Sequence, residues 1–139
     1  MKAEKSCGTV LFTISNGEVY YILIKSADNG HCGFPKGHME AGETEEETAL
    51  RETWEETSVN AEIIGNFRKE EAYILPNGTP KTVVYFLAMY AAQTPKNNEG
   101  FEKHDILVCH FEEAYNMLTH GVAKEILKEA DKYIRNFIL

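Results

Sequence analysis

The feature that most constrains this chain is a short acidic helix that directly follows a glycine-rich loop. Thr44 and Glu47 have the spacing of a capping box, which predicts that a helix begins at Thr44. The acidic residues 45–47 suit the positive end of such a helix, and the periodic pattern extends to residue 57. Residues 26–43, which precede it, are rich in glycine and are predicted to form a loop.

The predicted helix has two unlike sides. An advance of about 100° per residue separates an acidic side from a less polar side that is expected to pack inward. Trp54 is the largest residue of the inward group, so we expect it to be buried against the sheet or a neighbouring segment. The inward group is Ala49, Leu50, Thr53, Trp54 and Thr57, and the acidic side is Arg51, Glu52, Glu55 and Glu56.

Glu52, Glu55 and Glu56 are related as i, i+3 and i+4, so their carboxylates lie close together. Like charges at this spacing repel each other unless a cation sits among them, and hard divalent cations such as Mg²⁺ prefer oxygen ligands. Two hypotheses follow: a solvated acidic surface, which is the usual origin of a charge run, or a metal site.

The remaining patterns predict a mixed sheet with helices packed on it, an α/β fold. Apolar runs at 7–14 and 18–25 flank a turn and form a predicted hairpin, and residues 61–75 and 81–92 form two longer strands. Residues 94–104 are polar and predicted to be a loop, followed by a short strand at 105–110. The tail, 112–139, has apolar residues at helical spacing.

The length of 139 residues suits one domain over 1–139. A net charge of −8 argues against binding of duplex nucleic acid, which rests on many cationic contacts to phosphates. No run is long and apolar enough for a membrane span. The three cysteines are far apart and lack paired spacing, which favours a reducing cytoplasm over a disulfide framework.

The glutamates belong to a longer pattern. Gly37, Glu43 and residues 51–59 resemble the Nudix box, Gly-x5-Glu-x7-Arg-Glu-U-x-Glu-Glu-x-Gly-U, in which U is a bulky aliphatic residue. Every charged position matches. Thr53 replaces an aliphatic residue, and Ser58 replaces the glycine that ends the helix, a position suited to a left-handed conformation.

The resemblance implies a Nudix-type α/β/α sandwich and a metal-dependent pyrophosphohydrolase. Glu52, Glu55 and Glu56 are the implied catalytic residues and would hold Mg²⁺ or Mn²⁺ with the carbonyl of Gly37 and a further glutamate, Glu102. Glu99 lies beside Glu102 and competes for that last role. The metals would polarise the phosphoryl oxygens and activate a water, whose proton Glu52 or a neighbouring carboxylate would accept. Arg51 and Glu43 are implied to be structural.

The chain also resembles the asymmetric diadenosine tetraphosphate hydrolases, a Nudix subfamily. The resemblance is at residues 35–38, 80–85 and 111–114 and at Tyr73. It implies a small nucleotide substrate, cut to ATP and AMP. Cys32 departs from it, because the subfamily has Trp there. The implied substrate-binding residues are His31, Lys36, His38, Tyr73, Lys81 and Tyr85.

Each of these substrate contacts has an alternative in the residues themselves. Tyr73 and Tyr85 lie in apolar strands and could be core residues, Lys81 could be a solubility lysine of an edge strand, and His38 could only brace its loop. At the level of function, two alternatives stay open. One is a Nudix hydrolase of a nucleoside triphosphate, an RNA 5′ end, a sugar nucleotide or a diphosphoinositol phosphate. The other is a nucleotide-binding Nudix domain without catalysis.

Overall fold

A computed structural model describes residues 2–139 as one sheet with three helices. The strands are β1 (Glu4–Ser15), β2 (Glu18–Lys25), β3 (Cys32–Gly33), β4 (Lys36–His38), β5 (Glu62–Ile74), β6 (Pro80–Met89) and β7 (Asp105–Cys109). The helices are α1 (Glu45–Thr57), α2 (Phe111–Met117) and α3 (Gly121–Phe137).

The sheet is mixed, as predicted. Its order is β3-β2-β1-β6-β5, with β4 paired to β1 and β7 to β2. β1 and β6 are parallel neighbours, whereas the other pairings are antiparallel. The long strand β1 pairs with β4 over its first half and with β2 over its second half. The glycine-rich loop thereby reaches the centre of the sheet.

Helices cover both faces of the sheet, which confirms the expected α/β/α sandwich. The alternation of side chains along β6 shows this most directly. Val83, Tyr85 and Leu87 pack in the core formed with α2 and α3. Their neighbours Val84 and Phe86 point to the opposite face, where they pack against Ala49 of α1.

The predicted hairpin, the long strand pair and the short strand near residue 105 are all present. Asn16 and Gly17 connect β1 to β2 with positive φ angles of 52° and 79°, the conformation that a tight two-residue hairpin requires. The sequence pattern placed β1 too late, because its first residues are polar and pair with β4 and β6 instead of with β2.

Two parts of the chain differ from the prediction. The tail contains two helices, because Leu118 has an extended ψ of 131° that ends α2. Thr119 then hydrogen-bonds to Cys32 through both its backbone N–H (3.1 Å) and its hydroxyl (2.8 Å). The glycine-rich loop contains the short strands β3 and β4, which the interrupted sequence pattern did not indicate.

None of the helices in residues 2–139 is both long and apolar enough to cross a membrane. All three cysteines are buried and free. Burial raises the pKa of the Cys7 and Cys109 thiols to about 11, so these thiols are protonated and behave as small apolar side chains.

Candidate active site

Helix α1 begins and ends at the residues that the sequence indicated. The hydroxyl of Thr44 accepts a hydrogen bond from Glu47 N (3.1 Å), and the Glu47 carboxylate accepts one from Thr44 N (2.8 Å), which is a complete capping box. At the other end Ser58 adopts a left-handed φ of 62° without being glycine. Its hydroxyl donates to the carbonyl of Lys96 (3.0 Å), which offsets part of the cost of that conformation.

The inward side of α1 consists of small residues. Ala49, Thr53 and Thr57 are fully buried, and the hydroxyls of Thr53 and Thr9 on β1 are 2.8 Å apart. Thr53 also donates to the carbonyl of Ala49 at 2.8 Å. The threonine at the aliphatic position of the motif is therefore both packed and satisfied in its hydrogen bonding.

The expectation that Trp54 is buried is wrong. Its side chain is 41% exposed and makes an edge contact with the ring of Phe101, with centroids 6.1 Å apart. The buried residues of α1 are Thr48, Ala49, Thr53 and Thr57, so the buried side extends toward Thr48, and Trp54 lies beyond its opposite edge. Small residues bring the helix so close to β1 that an indole has no space between them.

On the outward side, Arg51 organises the carboxylates. Its Nε and Nη2 donate to the two oxygens of Glu43 at 2.6 and 3.0 Å, in a bidentate pair. Its Nη1 donates to Glu52 and to Glu55, each at 2.9 Å. A further bond of 2.9 Å from Nη2 to the carbonyl of His38 ties this network to β4. The two residues that the motif implied to be structural thus link the loop to the helix.

Glu56 is the most deeply enclosed of the three glutamates. Its carboxylate accepts a hydrogen bond from the backbone N–H of Lys36 at 2.7 Å, but burial and the nearby Glu52 raise its pKa to about 8. Burial also raises the pKa of Glu52. Two carboxylates whose ionised forms are disfavoured mark a place that lacks positive charge, and a divalent cation would supply it.

Gly37 lies very close to Glu52 of helix α1. A Cβ at this position would lie 2.0 Å from the carboxylate carbon of Glu52, so any larger residue would force that side chain to swing out of its present position. This close approach sets the backbone of β4 directly over the glutamates.

The donor chemistry fits a hard divalent cation. A cavity of about 170 Å³ is lined by Glu52, Glu55, Glu56, Phe101, Glu102 and His104, and its charged oxygens are the ligands that Mg²⁺ and Mn²⁺ prefer. Within residues 2–139 no three such side chains converge as a ready-made cation cage. Arg51 draws two of the carboxylates toward itself, so cation binding requires those side chains to turn away from it.

The cavity continues into a groove around the ends of β3 and β4. A second cavity of about 320 Å³ shares Glu56 with the first, and a third of about 330 Å³ shares Cys32, Gly33, Lys36 and His120 with the second. The third cavity is also lined by Tyr73 and Tyr85. An aromatic pocket and an acidic cavity are therefore joined by a passage beside Lys36.

Four of the six predicted substrate-binding residues line this groove. Lys36, Tyr73 and Tyr85 line the third cavity, and Tyr85 is buried at the same time, with its ring centroid 5.3 Å from that of Phe34. Tyr85 therefore occupies a position that belongs both to the core and to the wall of the pocket, so the two hypotheses for it are compatible. His31 lines the second cavity and faces the ring of His120 at 5.4 Å.

Lys81 and His38 do not line these cavities. Lys81 lies in β6, between β1 and β5, so it is not on an edge strand, and its ammonium donates to Ser6 Oγ at 2.6 Å. Burial lowers the pKa of Lys81. His38 is largely exposed, with Nε2 at 3.1 Å from Glu4. Glu102, and not Glu99, is among the residues that line the glutamate cavity.

Sequence reasoning missed His104, His120 and Phe101. His104 donates from Nε2 to the carbonyl of Glu56 at 2.9 Å, next to the end of α1. His120 precedes α3 and meets the pocket only because Thr119 is bound to Cys32. Isolated residues in loops carry no periodic signal, so only the packing of distant segments reveals them.

Comparisons with known proteins agree with this geometry. A family model described as the NUDIX domain matches residues 6–136. The asymmetrical bis(5′-nucleosyl)-tetraphosphatase of Mus musculus is 40% identical over 142 aligned positions, which cover 95% of this chain and 96% of the mouse protein.

Solved structures show the same fold. The Ap4A hydrolase of Caenorhabditis elegans, in a binary complex, superposes with a TM-score of 0.87 at 24% identity and covers 97% of this chain and 100% of its own. The NUDIX domain of Shewanella oneidensis NrtR, complexed with ADP ribose, gives a TM-score of 0.76 at 17% identity over 96% of this chain and 90% of its own.

Proposed function

This chain belongs to the NUDIX domain family, and from that premise we propose that it hydrolyses a dinucleoside polyphosphate, diadenosine tetraphosphate, to ATP and AMP. The fold and the relatives make it a hydrolase of phosphoanhydride bonds. The observation that carries the choice of substrate is the groove, in which one aromatic pocket and one acidic cavity are joined beside Lys36. The mouse relative, named for the asymmetrical reaction, supports the same choice.

We assign the cation-binding role to Glu52, Glu55, Glu56 and Glu102, with the carbonyl of Gly37. The four carboxylates line one cavity, and the backbone at Gly37 lies so close to Glu52 that a Cβ there would reach its carboxylate. When bound, Mg²⁺ or Mn²⁺ polarises the phosphoryl oxygens and activates water for in-line attack. Arg51 and Glu43 position the carboxylates through the network that links α1 to β4.

We assign one adenosine to the pocket of Tyr73 and Tyr85, whose rings offer a surface for a base, and the phosphates to Lys36. His31 lies where it would meet the same phosphates. Lys81 and His38 would act from beside the groove, through Ser6 and Glu4 respectively. Cys32 lines both of the larger cavities, so its small side chain leaves more room than a Trp would.

We further propose that residues 1–139 act as one domain on a small nucleotide, without duplex nucleic acid or membrane as partner, in the cytoplasm. The net charge of −8 opposes binding to a polyanionic duplex. Three free cysteines suit a reducing compartment.

The regiochemistry of the reaction tests this proposal. The distance from the base pocket to the carboxylates selects one phosphorus, so a single cut dominates. With Mg²⁺ we expect ATP and AMP in equal amounts, and in ¹⁸O water the label enters only one of the two products. Chromatography and mass spectrometry of the products measure both. Two ADP as the main product would refute the asymmetric assignment, and rapid hydrolysis of another nucleoside diphosphate derivative, with none of this substrate, would refute the substrate.

A further inference from the structure

Two exposed aromatic side chains lie beside the glutamate cavity, at the end of the groove far from Tyr73. Trp54 and Phe101 are 41% and 40% exposed, and their rings meet edge to face at an interplanar angle of 84°. Phe101 also lines the cavity of Glu52, Glu55 and Glu56. We refer to Trp54 and Phe101 as the distal aromatic pair.

The distal aromatic pair is held in place by the chain around it. Asn98 donates from Nδ2 to the carbonyl of Trp54 at 2.6 Å, and Lys96 N donates to the carbonyl of Thr57 at 2.8 Å. His104 closes the same loop onto the carbonyl of Glu56. Hydrogen bonds on both sides of Phe101 thus fix the loop to the C-terminal end of α1, although the two rings remain open to solvent.

The groove therefore has aromatic groups at both ends and carboxylates between them. A mononucleotide has one base, and the pocket of Tyr73 and Tyr85 suffices for it. A dinucleoside polyphosphate has a second base, at the opposite end of the phosphate chain. With the first base in the pocket, the second base would lie beyond the carboxylates, on the side away from Tyr73. Exposed aromatic rings are a sequence-tolerant surface for a purine, because every base presents a π face.

We infer that the distal aromatic pair binds the second nucleobase of the substrate and so selects dinucleotides over mononucleotides. The inference rests on the proposed function for the identity of the substrate. Trp54 is the only tryptophan of the chain, which makes its fluorescence a direct report on this surface.

A binding measurement tests the inference without turnover. The probes are diadenosine tetraphosphate, which has two bases, and adenosine 5′-tetraphosphate, which has one, both with methylene groups in place of their bridging oxygens. With Mg²⁺ we expect the dinucleotide to quench Trp54 fluorescence and the mononucleotide to leave it unchanged. Equal quenching by both probes, or quenching by neither while the dinucleotide binds by calorimetry, overturns the inference.

Kinetics on variants provide the second test. We expect Trp54→Ala to raise KM for diadenosine tetraphosphate about tenfold, as loss of one base stack does, with kcat/KM for adenosine 5′-tetraphosphate unchanged. Phe101→Ala should raise the KM for the dinucleotide by a similar factor, and because Phe101 lines the glutamate cavity, the comparison between the two substrates rests on the Trp54 variants. Trp54→Phe keeps a ring and should restore most of the affinity. Phe137→Ala, at a 74% exposed position on α3, is the matched control and should change neither substrate.

The outcomes separate the two proposals. Equal losses on both substrates, or no loss on either, overturn the role of the distal aromatic pair. If the parent enzyme cleaves no diadenosine tetraphosphate, the proposed function fails, and the fluorescence titration still decides whether the pair binds a base. Thermal unfolding of each variant confirms that it is folded, and because Trp54 does not line the glutamate cavity, its variants separate base binding from disturbance of Glu102.

Discussion

The two sides of helix α1 have different roles. The inward side carries Ala49, Thr53 and Thr57, which are fully buried and, in the case of the threonines, hydrogen-bonded. The outward side carries carboxylates whose charges repel each other and whose desolvation raises the pKa of Glu56 to about 8. The inward side stabilises the fold, whereas the outward side crowds negative charge that Arg51 offsets in part and that a bound cation would offset further.

This contrast shows that one helix can carry the residues for packing on one side and the residues for the reaction on the other. Arg51 stabilises the outward side while no cation is bound, because it donates to Glu43, Glu52 and Glu55, although its one positive charge offsets only part of their negative charge. Changes on the outward side should therefore affect the reaction and spare the fold. Changes on the inward side should do the reverse.

The largest expected effect is on the outward side. Glu55→Gln and Glu56→Gln should each lower kcat/KM by orders of magnitude, because a neutral amide binds a divalent cation poorly. Without metal at pH 7, Glu56→Gln should leave the unfolding midpoint nearly unchanged, since a carboxyl group with a pKa of about 8 is already largely protonated and the amide keeps an oxygen to accept from Lys36 N. Steady-state kinetics with Mg²⁺ and urea unfolding in EDTA measure the two quantities.

The control for this prediction lies on the same helix. Glu46 is exposed in the first turn, so Glu46→Gln removes a charge without touching the cavity and should leave the rate unchanged. Excess EDTA should abolish the activity of the parent, and added Mg²⁺ or Mn²⁺ should restore it. Full activity in EDTA, or in either cavity variant, would contradict the metal assignment.

The inward side offers the next largest effect. Thr53→Val keeps the shape but leaves the Thr9 hydroxyl without its partner, so we expect a loss of about 1–3 kcal/mol in the free energy of unfolding. The double variant Thr9→Val, Thr53→Val should lose less than the sum of the two single changes, because no buried hydroxyl is then left unpaired. The rate per folded molecule should not change, and strict additivity in urea unfolding would disprove the coupling.

What the sequence could predict depended on regular spacing. Helix capping and hydrophobic periodicity depend on residues that are close in sequence. The sequence could therefore predict the capping box at Thr44, the clustered carboxylates of Glu52 and Glu56, and the long strands. The arrangement of Arg51 with Glu43 followed from the motif. The class of reaction was accessible for the same reason, since the residues that carry it lie within one continuous segment.

The remainder depended on contacts between distant segments. Trp54 was assigned to the buried side because a helical wheel gives the angle of each residue but not which angles the sheet covers, and the sheet covers the side toward Thr48 instead of Trp54. The break before α3 follows from the bonds of Thr119 to Cys32, residues far apart in the chain. His104 and Phe101 reach the cavity through a loop that has no pattern of its own.

The smallest expected effect concerns an ion pair at the start of α1, near the junction of the two sides. Glu45 accepts bonds from Arg68 at 2.9 and 2.8 Å and pairs with Lys5, and these cations hold its pKa at about 2. Glu70 also touches Arg68 and competes for it at 3.5 Å. A carboxyl group with a lowered pKa in the folded state stabilises the protein above its unfolded value, near 4.5, and this contribution is lost as the pH falls toward 2.

Glu45→Gln should therefore cost stability at pH 7 and cost progressively less as the pH falls from 4.5 toward 2. Both cations are 40% exposed, so solvent screening limits the effect to at most about 1 kcal/mol. The measurement is the difference between parent and variant in urea unfolding at pH 7 and at pH 3, with Glu46→Gln as the control for charge in the first turn. Carboxyl groups that do not contact Arg68 or Lys5 titrate alike in both proteins and cancel in that difference, whereas Glu70 can take over Arg68 in the variant and reduce the difference. A difference that stays constant between the two pH values would mean that packing, and not charge, holds Glu45 in place.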